Sequence, residues 1–474
     1  MSTPNATPRT PPNLTLAILT LAGMAFALQQ TMVFPALGTF GREFDVDATR
    51  ATWVLTAFLV SAAVTTPLLG RLGDQYGKGR ILVVCLSIFL VGCVGAAAAW
   101  DIWSLVAFRA LSGAGGALFP LSFAIIRDEL PPERVKVGIG LVSSVFGVGG
   151  GFGIVLSGVV VDNLSWRWLF ILGSLPVAAS ILLVRRFVPD SPVRARCRVD
   201  VPGALLLSGA LVALLVALTE GEHWGWTSAP LLGLGAGSAL LFVAWGIVEA
   251  RSSSPLVDMR TFAHRPVLLT NVSTMISGFA LFSSFVLVPA FVTAPRATGY
   301  GFGASATEAG LYLLPSSIAI LFAGPAAGLL GRRFGSKWPL VVGMLIVSAA
   351  AFVLARAHEE PWQIVLASGG LGAGVGLAFA SMAALIAENV QQTETGVATG
   401  MNTVVRMVGA VVGGQLAAAL LTAQTIKGTS LPAESAFTTA FGLSAVAALL
   451  AAFVALSIAR RTPLRRLETA PALD

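Results

Sequence analysis

The chain has 474 residues, 55% of them hydrophobic and only 11% charged, with a mean hydropathy of +0.83 and a formal net charge of +7. A soluble domain carries about 25% charged residues, and a chain this apolar could not cover a soluble particle with polar groups. Its cations lie in loops between apolar runs and form no stripe or tail, which excludes a nucleic-acid-binding surface.

A hydrocarbon core about 30 Å thick needs roughly 20 apolar residues in a helix. Runs of that kind predict spans at 14–38, 50–70, 80–100, 102–127, 137–161, 168–187, 202–219, 229–250, 266–292, 305–330, 338–356, 362–386, 397–424 and 435–458. The polar Pro/Thr start and the length of the first run argue against a cleavable signal peptide. Trp100, Trp103, Trp166, Trp168, Trp224, Trp226, Trp338 and Trp362 lie at or near run ends and are expected to anchor at the interfaces. With the N-terminus inside, cytoplasmic segments hold 22 of the 30 Lys and Arg and outer loops hold 6, which favours both termini in the cytoplasm. The segment from Arg185 to Arg198 is the most basic loop; it is read as a topology determinant, with binding of anionic lipid as the alternative. Cys85, Cys93 and Cys197 show neither paired nor metal-type spacing and are expected to be free thiols. The Ala-, Gly- and Arg-rich composition points to a bacterium, hence to its cytoplasmic membrane.

Two segments repeat. Pro67-Leu-Leu-Gly70-Arg-Leu-Gly73-Asp-Gln-Tyr76-Gly77 aligns with Pro325-Ala-Ala-Gly328-Leu-Leu-Gly331-Arg-Arg-Phe334-Gly335 at an offset of 258 residues. Gly140, Gly149 and Gly153 align with Gly400, Gly409 and Gly413 at an offset of 260. A tandem duplication follows: one six-helix half at 14–187, a linker with two additional spans at 188–265, a second six-helix half at 266–458, and a cytoplasmic tail at 459–474. Repeated helical halves suggest a transporter that rocks around a central site.

The residues Gly70-Arg71-Leu-Gly-Asp74-Gln-Tyr-Gly77-Lys78-Gly-Arg80 follow a loop signature, with Gln75 in place of a base. With Trp53-Val-Leu-Thr-Ala-Phe58, Arg109-Ala-Leu-Ser-Gly113-Ala-Gly115, Ser165-Trp-Arg-Trp168 and Pro255-Leu-Val-Asp-Met-Arg-Thr-Phe262, they make the chain resemble the major facilitator superfamily. Within it the chain looks like the fourteen-span drug:proton antiporter group. The resemblance implies an all-α membrane protein whose 70–80 loop helps to latch the halves on the cytoplasmic side. Glycines there permit a tight turn, and Asp74, Arg71 and Arg80 can reach neighbouring helix ends. Two departures stand out. The antiporter signature reads Gly153-Ile154-Val-Leu-Ser157-Gly158, without its proline and one glycine, and Gly149, Gly153 and Gly158 also serve as close-packing positions. The first span reads Leu28-Gln29-Gln30-Thr31, where the group has a protonatable aspartate.

A charge at the bilayer centre costs at least about 2.5–3.5 kcal/mol and is functional by default. Arg109 and Arg406 fall within spans, whereas all 23 Asp and Glu map to loops or span ends, so buried cations without buried acids are expected. Carbonyls, Gln29 or Gln30 could satisfy Arg109 structurally; the resemblance implies a place in proton coupling; attraction of an anionic substrate is the third reading. Arg406 sits in the stretch from Asn402 to Gly409, similar to one found in the group. Glu308 and Tyr312, at the start of their span, could face a cavity, and partial burial would suit Glu308 to carry protons. His223, His264 and His358 fall in loops and are expected to be solvated. No P-loop, nucleophile–base set, metal cluster or cofactor motif appears, so the chain is not read as an enzyme. The expected function is export of an amphiphilic small molecule, such as a drug, antibiotic or secondary metabolite. Alternating access in a monomer, with protons as coupling ion, is the expected mechanism. An uncoupled transporter of an anionic or neutral metabolite or lipid, and a non-transporting membrane sensor, are the alternatives.

Overall fold

A computed structural model describes residues 11–33, 36–46, 48–189, 200–252, 255–426, 429 and 431–458. The tail at 459–474, and the core of the basic loop with Cys197, lie outside them. Helix dominates and no strand occurs among the described residues; one isolated bridge joins Thr425 and Pro432.

The long helices are α1 Pro12–Thr31, α2 Ala48–Tyr76, α3 Lys78–Ala97, α4 Ile102–Glu129, α5 Pro132–Asn163, α6 Arg167–Phe187 and α7 Val201–Trp224. After α8 Ala229–Arg251 come α9 Arg265–Thr293, α10 Ala306–Phe334, α11 Lys337–Arg356, α12 Pro361–Asn389, α13 Thr395–Ala423 and α14 Glu434–Leu456. Among the described residues 13 helices are long and apolar enough to cross a membrane, and α5, 32 residues long, also has the length. Prolines open α1, α5, α7, α8, α9 and α12, where a missing N–H costs nothing.

Two features differ from the expected spans. The first run does not reach residue 38 as one helix: α1 ends at Thr31, and a separate helix, Leu37–Glu43, follows. α4 tightens to a 3₁₀ segment at Gly113–Ala117, where Gly113 and Gly116 let α2 approach so closely that a β-carbon at either would press on Ser61, Ala62 or Thr66.

Helices α1–α6 pack on one another, as do α9–α14, and the two sets meet along α5 with α10 and α2 with α13. Those two contacts are the repeat seen in the sequence. At Gly140 a β-carbon would overlap the Gly324 carbonyl, and at Gly400 it would lie 3.3 Å from the Thr66 carbonyl oxygen and 3.4 Å from Pro67. The opposite faces of the same helices pack within their own half: Gly149 and Gly153 lie on Ala27, Leu28 and Thr31 of α1, and Gly409 and Gly413 on Met275 and Phe279 of α9. Small residues bring backbones close where lipid gives no hydrophobic drive for association. Gly158, by contrast, has only ordinary contact with Thr307 of α10.

The inserted pair sits on one flank. α7 packs on α2 and α13, and α8 packs on α7. Leu207 and Leu211 share a core with Met401 and Val404 of α13.

Candidate functional site: a gate between the halves

At the 70–80 loop the chain closes one end of the interface. Asp74 is fully buried; its Oδ1 accepts from the Gly396 N–H at 3.3 Å and its Oδ2 from the Val397 N–H at 3.1 Å. These are orphan donors of the first turn of α13, whose own N-cap residue, Glu394, supplies no side-chain bond. One half therefore caps a helix of the other, with a carboxylate against the positive end of the helix dipole. Gly70 makes the approach possible, since a β-carbon there would lie 2.8 Å from the Gly396 carbonyl oxygen. Gly77 turns the chain with φ of +111°, and its repeat partner Gly335 with +89°. Lys78 Nζ donates to Asp128 Oδ2 at 2.6 Å and lies 3.9 Å from Asp74 Oδ1. Arg71 donates to the Pro255 carbonyl at 2.8 Å, on the connector before α9, while Arg80 is exposed on the first turn of α3.

The contact between the halves is wider than the loop motif. Arg127 of α4 donates to Thr395 Oγ1 at 2.6 Å and to the Val390 and Gln391 carbonyls, and Gln392 Nε2 donates to Asp128 at 2.9 Å. On the symmetric side the residue matching Asp74 is Arg332, so the same cap cannot form. Lys136 of α5 instead reaches Glu388 Oε1 of α12 at 2.7 Å and the Gly331 carbonyl at 3.0 Å, while Ser336 Oγ donates to the same carboxylate oxygen. Sequence reasoning missed Arg127, Asp128, Lys136 and Glu388; their position at helix ends beside the repeats was the available signal.

Arg109 is wholly buried within the N-terminal half. Its Nε donates weakly to the Val54 carbonyl at 3.4 Å, and its guanidinium lies over Phe58 at 4.2 Å. Nη1 and Nη2 have no hydrogen-bond partner among the described residues. Gln29 does not supply one: its Nε2 donates to the Leu169 and Phe170 carbonyls, both at 3.2 Å, across to α6. Gln30 is buried beside it with its carbonyl oxygen unpaired.

Arg406 lies between the halves, roughly 16 Å along α13, in a cavity of about 30 Å³ that it shares with Asn402, Phe119, Phe379 and Ser143. Its guanidinium sits 4.6 Å from the Phe379 ring centroid. Asn402 Nδ2 donates to Asn271 Oδ1 and Thr274 Oγ1, both at 2.8 Å, which ties α13 to α9. A cavity of that size holds about one water, far below the roughly 300–1,000 Å³ of small-molecule sites, so the halves are closed at this level.

Glu308 and Tyr312 lie elsewhere, at the other end of the molecule. They line an open recess of about 810 Å³ with Phe302, Trp362 and Arg296. Tyr312 stacks on Phe302, with centroids 5.9 Å apart. The expected partial burial of Glu308 is not found. The residue is exposed, and its carboxylate accepts from the Ser305 N–H at 2.7 Å in a capping box, because it stands in the first turn of α10.

Three other expectations are corrected. His358 is buried, not solvated: its Nδ1 lies 2.8 Å from the Leu354 carbonyl oxygen and its Nε2 2.9 Å from Glu434 Oε1. Trp166 is a core residue packed against Phe40, Phe44 and Phe170, because the helix at Leu37–Glu43 folds over it. The acids are not all at solvated positions either. Asp74, Glu220 and Glu249 are buried, and Glu249 is satisfied by Trp245 Nε1 at 2.9 Å and the Val257 N–H at 3.3 Å.

Known proteins place this architecture. The family model for the Major Facilitator Superfamily matches residues 19–295 and 270–472. An uncharacterized MFS-type transporter of Mycobacterium tuberculosis is 31% identical over 412 residues, covering 84% of this chain, which spans only 58% of that relative's length. Multidrug resistance protein 3 of Bacillus subtilis is 28% identical, with 83% and 77% of the two chains covered. The tetracenomycin C resistance and export protein of Streptomyces glaucescens is 27% identical, with 84% and 74% covered. The crystal structure of the human organic anion transporter MFSD10 (TETRAN) superposes with a TM-score of 0.68 over 94% of this chain and 100% of that one, at 17% identity, a likeness of fold. The duplicated halves, the glycine contacts that join them and the family match over nearly the whole chain agree: this multi-pass membrane protein belongs to the Major Facilitator Superfamily.

Proposed function

We propose that the chain is a secondary transporter that exports an amphiphilic small molecule by alternating access, coupled to protons. The observation that carries this reading is the gate: a buried carboxylate of one half caps a helix of the other, a contact that can be made and broken as a unit. The names of the Bacillus and Streptomyces relatives, in resistance and export, support the substrate class. The working halves are 14–187 and 266–458, in fourteen spans with both termini in the cytoplasm of a bacterial cell, acting as a monomer. A cysteine placed at Glu222 should then react with an impermeant thiol reagent from outside, and one at Arg196 only after permeabilisation. The reverse pattern overturns the orientation.

For coupling, Glu308 is the acid proposed in place of Gln29: it is not enclosed, but stands as an exposed, Ser305-bonded carboxylate at the edge of an aromatic recess wide enough for an amphiphile. Glu308→Gln is expected to abolish proton-driven uptake into inverted vesicles while sparing substrate exchange. Gln29→Asp is expected to alter the pH dependence by adding a titratable group beside α6. If Glu308→Gln changes nothing and wild-type flux ignores an imposed pH gradient, proton coupling is wrong. A second reading has its own observation: the unpaired Nη atoms of Arg109 suit an anionic substrate moved without protons.

A further inference from the structure

On the outer flank of the C-terminal half, α11 and α14 leave a groove of about 770 Å³ between them. Its walls are Leu345, Phe352, Val446 and Leu449, all large and exposed, with relative exposures of 44%, 55%, 54% and 38%. Its depth comes from Ala349 and Gly442; a β-carbon at Gly442 would meet nothing within 4 Å. The floor is dry in character, because the one polar group there, the Ser348 hydroxyl, is spent on the Ala445 carbonyl at 2.8 Å.

The groove has a polar end and an apolar end. From Leu345 to Arg356 along α11 is about 16 Å, half of the roughly 30 Å hydrocarbon core. At the helix terminus stand Arg356, Thr438 and Thr439. Glu434, the acid that would repel an anion there, is turned to His358 instead. The Thr438 hydroxyl is donated to the Ser435 carbonyl at 3.1 Å. A slot one leaflet long, apolar along its length and capped by the Arg356 guanidinium and the Thr439 hydroxyl, matches one lipid tail with its phosphate.

We propose that this groove is a binding site for an anionic phospholipid of the adjoining leaflet, with an acyl chain against Gly442 and the phosphate at Arg356. A guanidinium favours a net negative headgroup over a zwitterionic one. The proposal does not depend on the substrate or on the coupling ion.

The test is native mass spectrometry of the full chain, purified and offered equal amounts of phosphatidylglycerol and phosphatidylcholine with identical acyl chains. Wild type is expected to retain phosphatidylglycerol over phosphatidylcholine by about fivefold. Gly442→Trp fills the groove and is expected to lose that retained lipid. Arg356→Gln, at an exposed side chain, is expected to keep a lipid but show no preference, whereas Arg296→Gln, outside the groove, leaves the preference intact. Equal retention of the two lipids by wild type overturns the site, as does an unchanged preference in Arg356→Gln. So does undiminished phosphatidylglycerol on Gly442→Trp, measured on protein whose thermal unfolding matches wild type.

Discussion

Asp74→Asn is expected to leave the protein folded and inserted but to cut transport by about tenfold or more. The amide keeps the shape of the carboxylate. It loses the charge that faces the first turn of α13, and one of its two arms becomes a donor pointed at the Gly396 or Val397 N–H. A carboxylate at a helix N-terminus is worth up to about 2 kcal/mol when partly buried, and about 1.4 kcal/mol is a factor of ten in population. Loss of that contact shifts the chain away from the state closed at the 70–80 loop. The readout is substrate flux normalised to inserted protein, with labelling of a cysteine placed at Gln391 as a measure of opening. Wild-type flux with unchanged labelling would show that Asp74 does not hold the gate.

The second large effect is steric and asymmetric. Gly140→Ala is expected to reduce transport by about tenfold or more, because the added carbon collides with the Gly324 carbonyl, a backbone atom that cannot rotate away. Overpacking of this kind costs about 1–3 kcal/mol. Gly400→Ala, at the repeat-related position, meets the Thr66 carbonyl oxygen at 3.3 Å and has room to settle with a small shift. Its transport should stay within about threefold of wild type, and thermal stability should fall less than for Gly140→Ala. Equal losses in the two variants would contradict the contact geometry assigned to α5 and α10.

The spans were readable because hydropathy and length decide whether a helix crosses lipid: most helices begin and end within three residues of the expected range, while α1, α2, α5, α7 and α10 differ by four to seven residues at one end. The glycines at 140 and 400 were readable too, because a repeat needing close backbones can use little else. The break after Thr31 was not: Met32 and Val33 are as apolar as the helix before them, and both are buried by tertiary packing that hydropathy does not contain. Arg127 and Lys136 looked like ordinary topology charges. Their contacts across the two halves depend on which residues of α12 and α13 stand opposite, 250 residues or more away in sequence. His358 was misjudged for a related reason, since its partner Glu434 opens helix α14, 76 residues on. The buried acids escaped notice because each lies at a helix end, where sequence does not distinguish a solvated cap from a carboxylate enclosed by a neighbouring helix.

In the proposed alternating-access cycle, the two halves separate at the Lys136–Glu388 side and re-close in every turnover. The direct measurement is substrate flux through proteoliposomes containing Lys136→Cys with Glu388→Cys, in a chain whose Cys85, Cys93 and Cys197 are replaced by Ala. The native side chains meet at 2.7 Å, so a short bifunctional thiol reagent can span the introduced pair. Flux is expected to stop when the pair is cross-linked with a reducible reagent and to return on reduction, while each single cysteine variant is unaffected by the reagent. Undiminished flux through fully cross-linked protein would contradict the account.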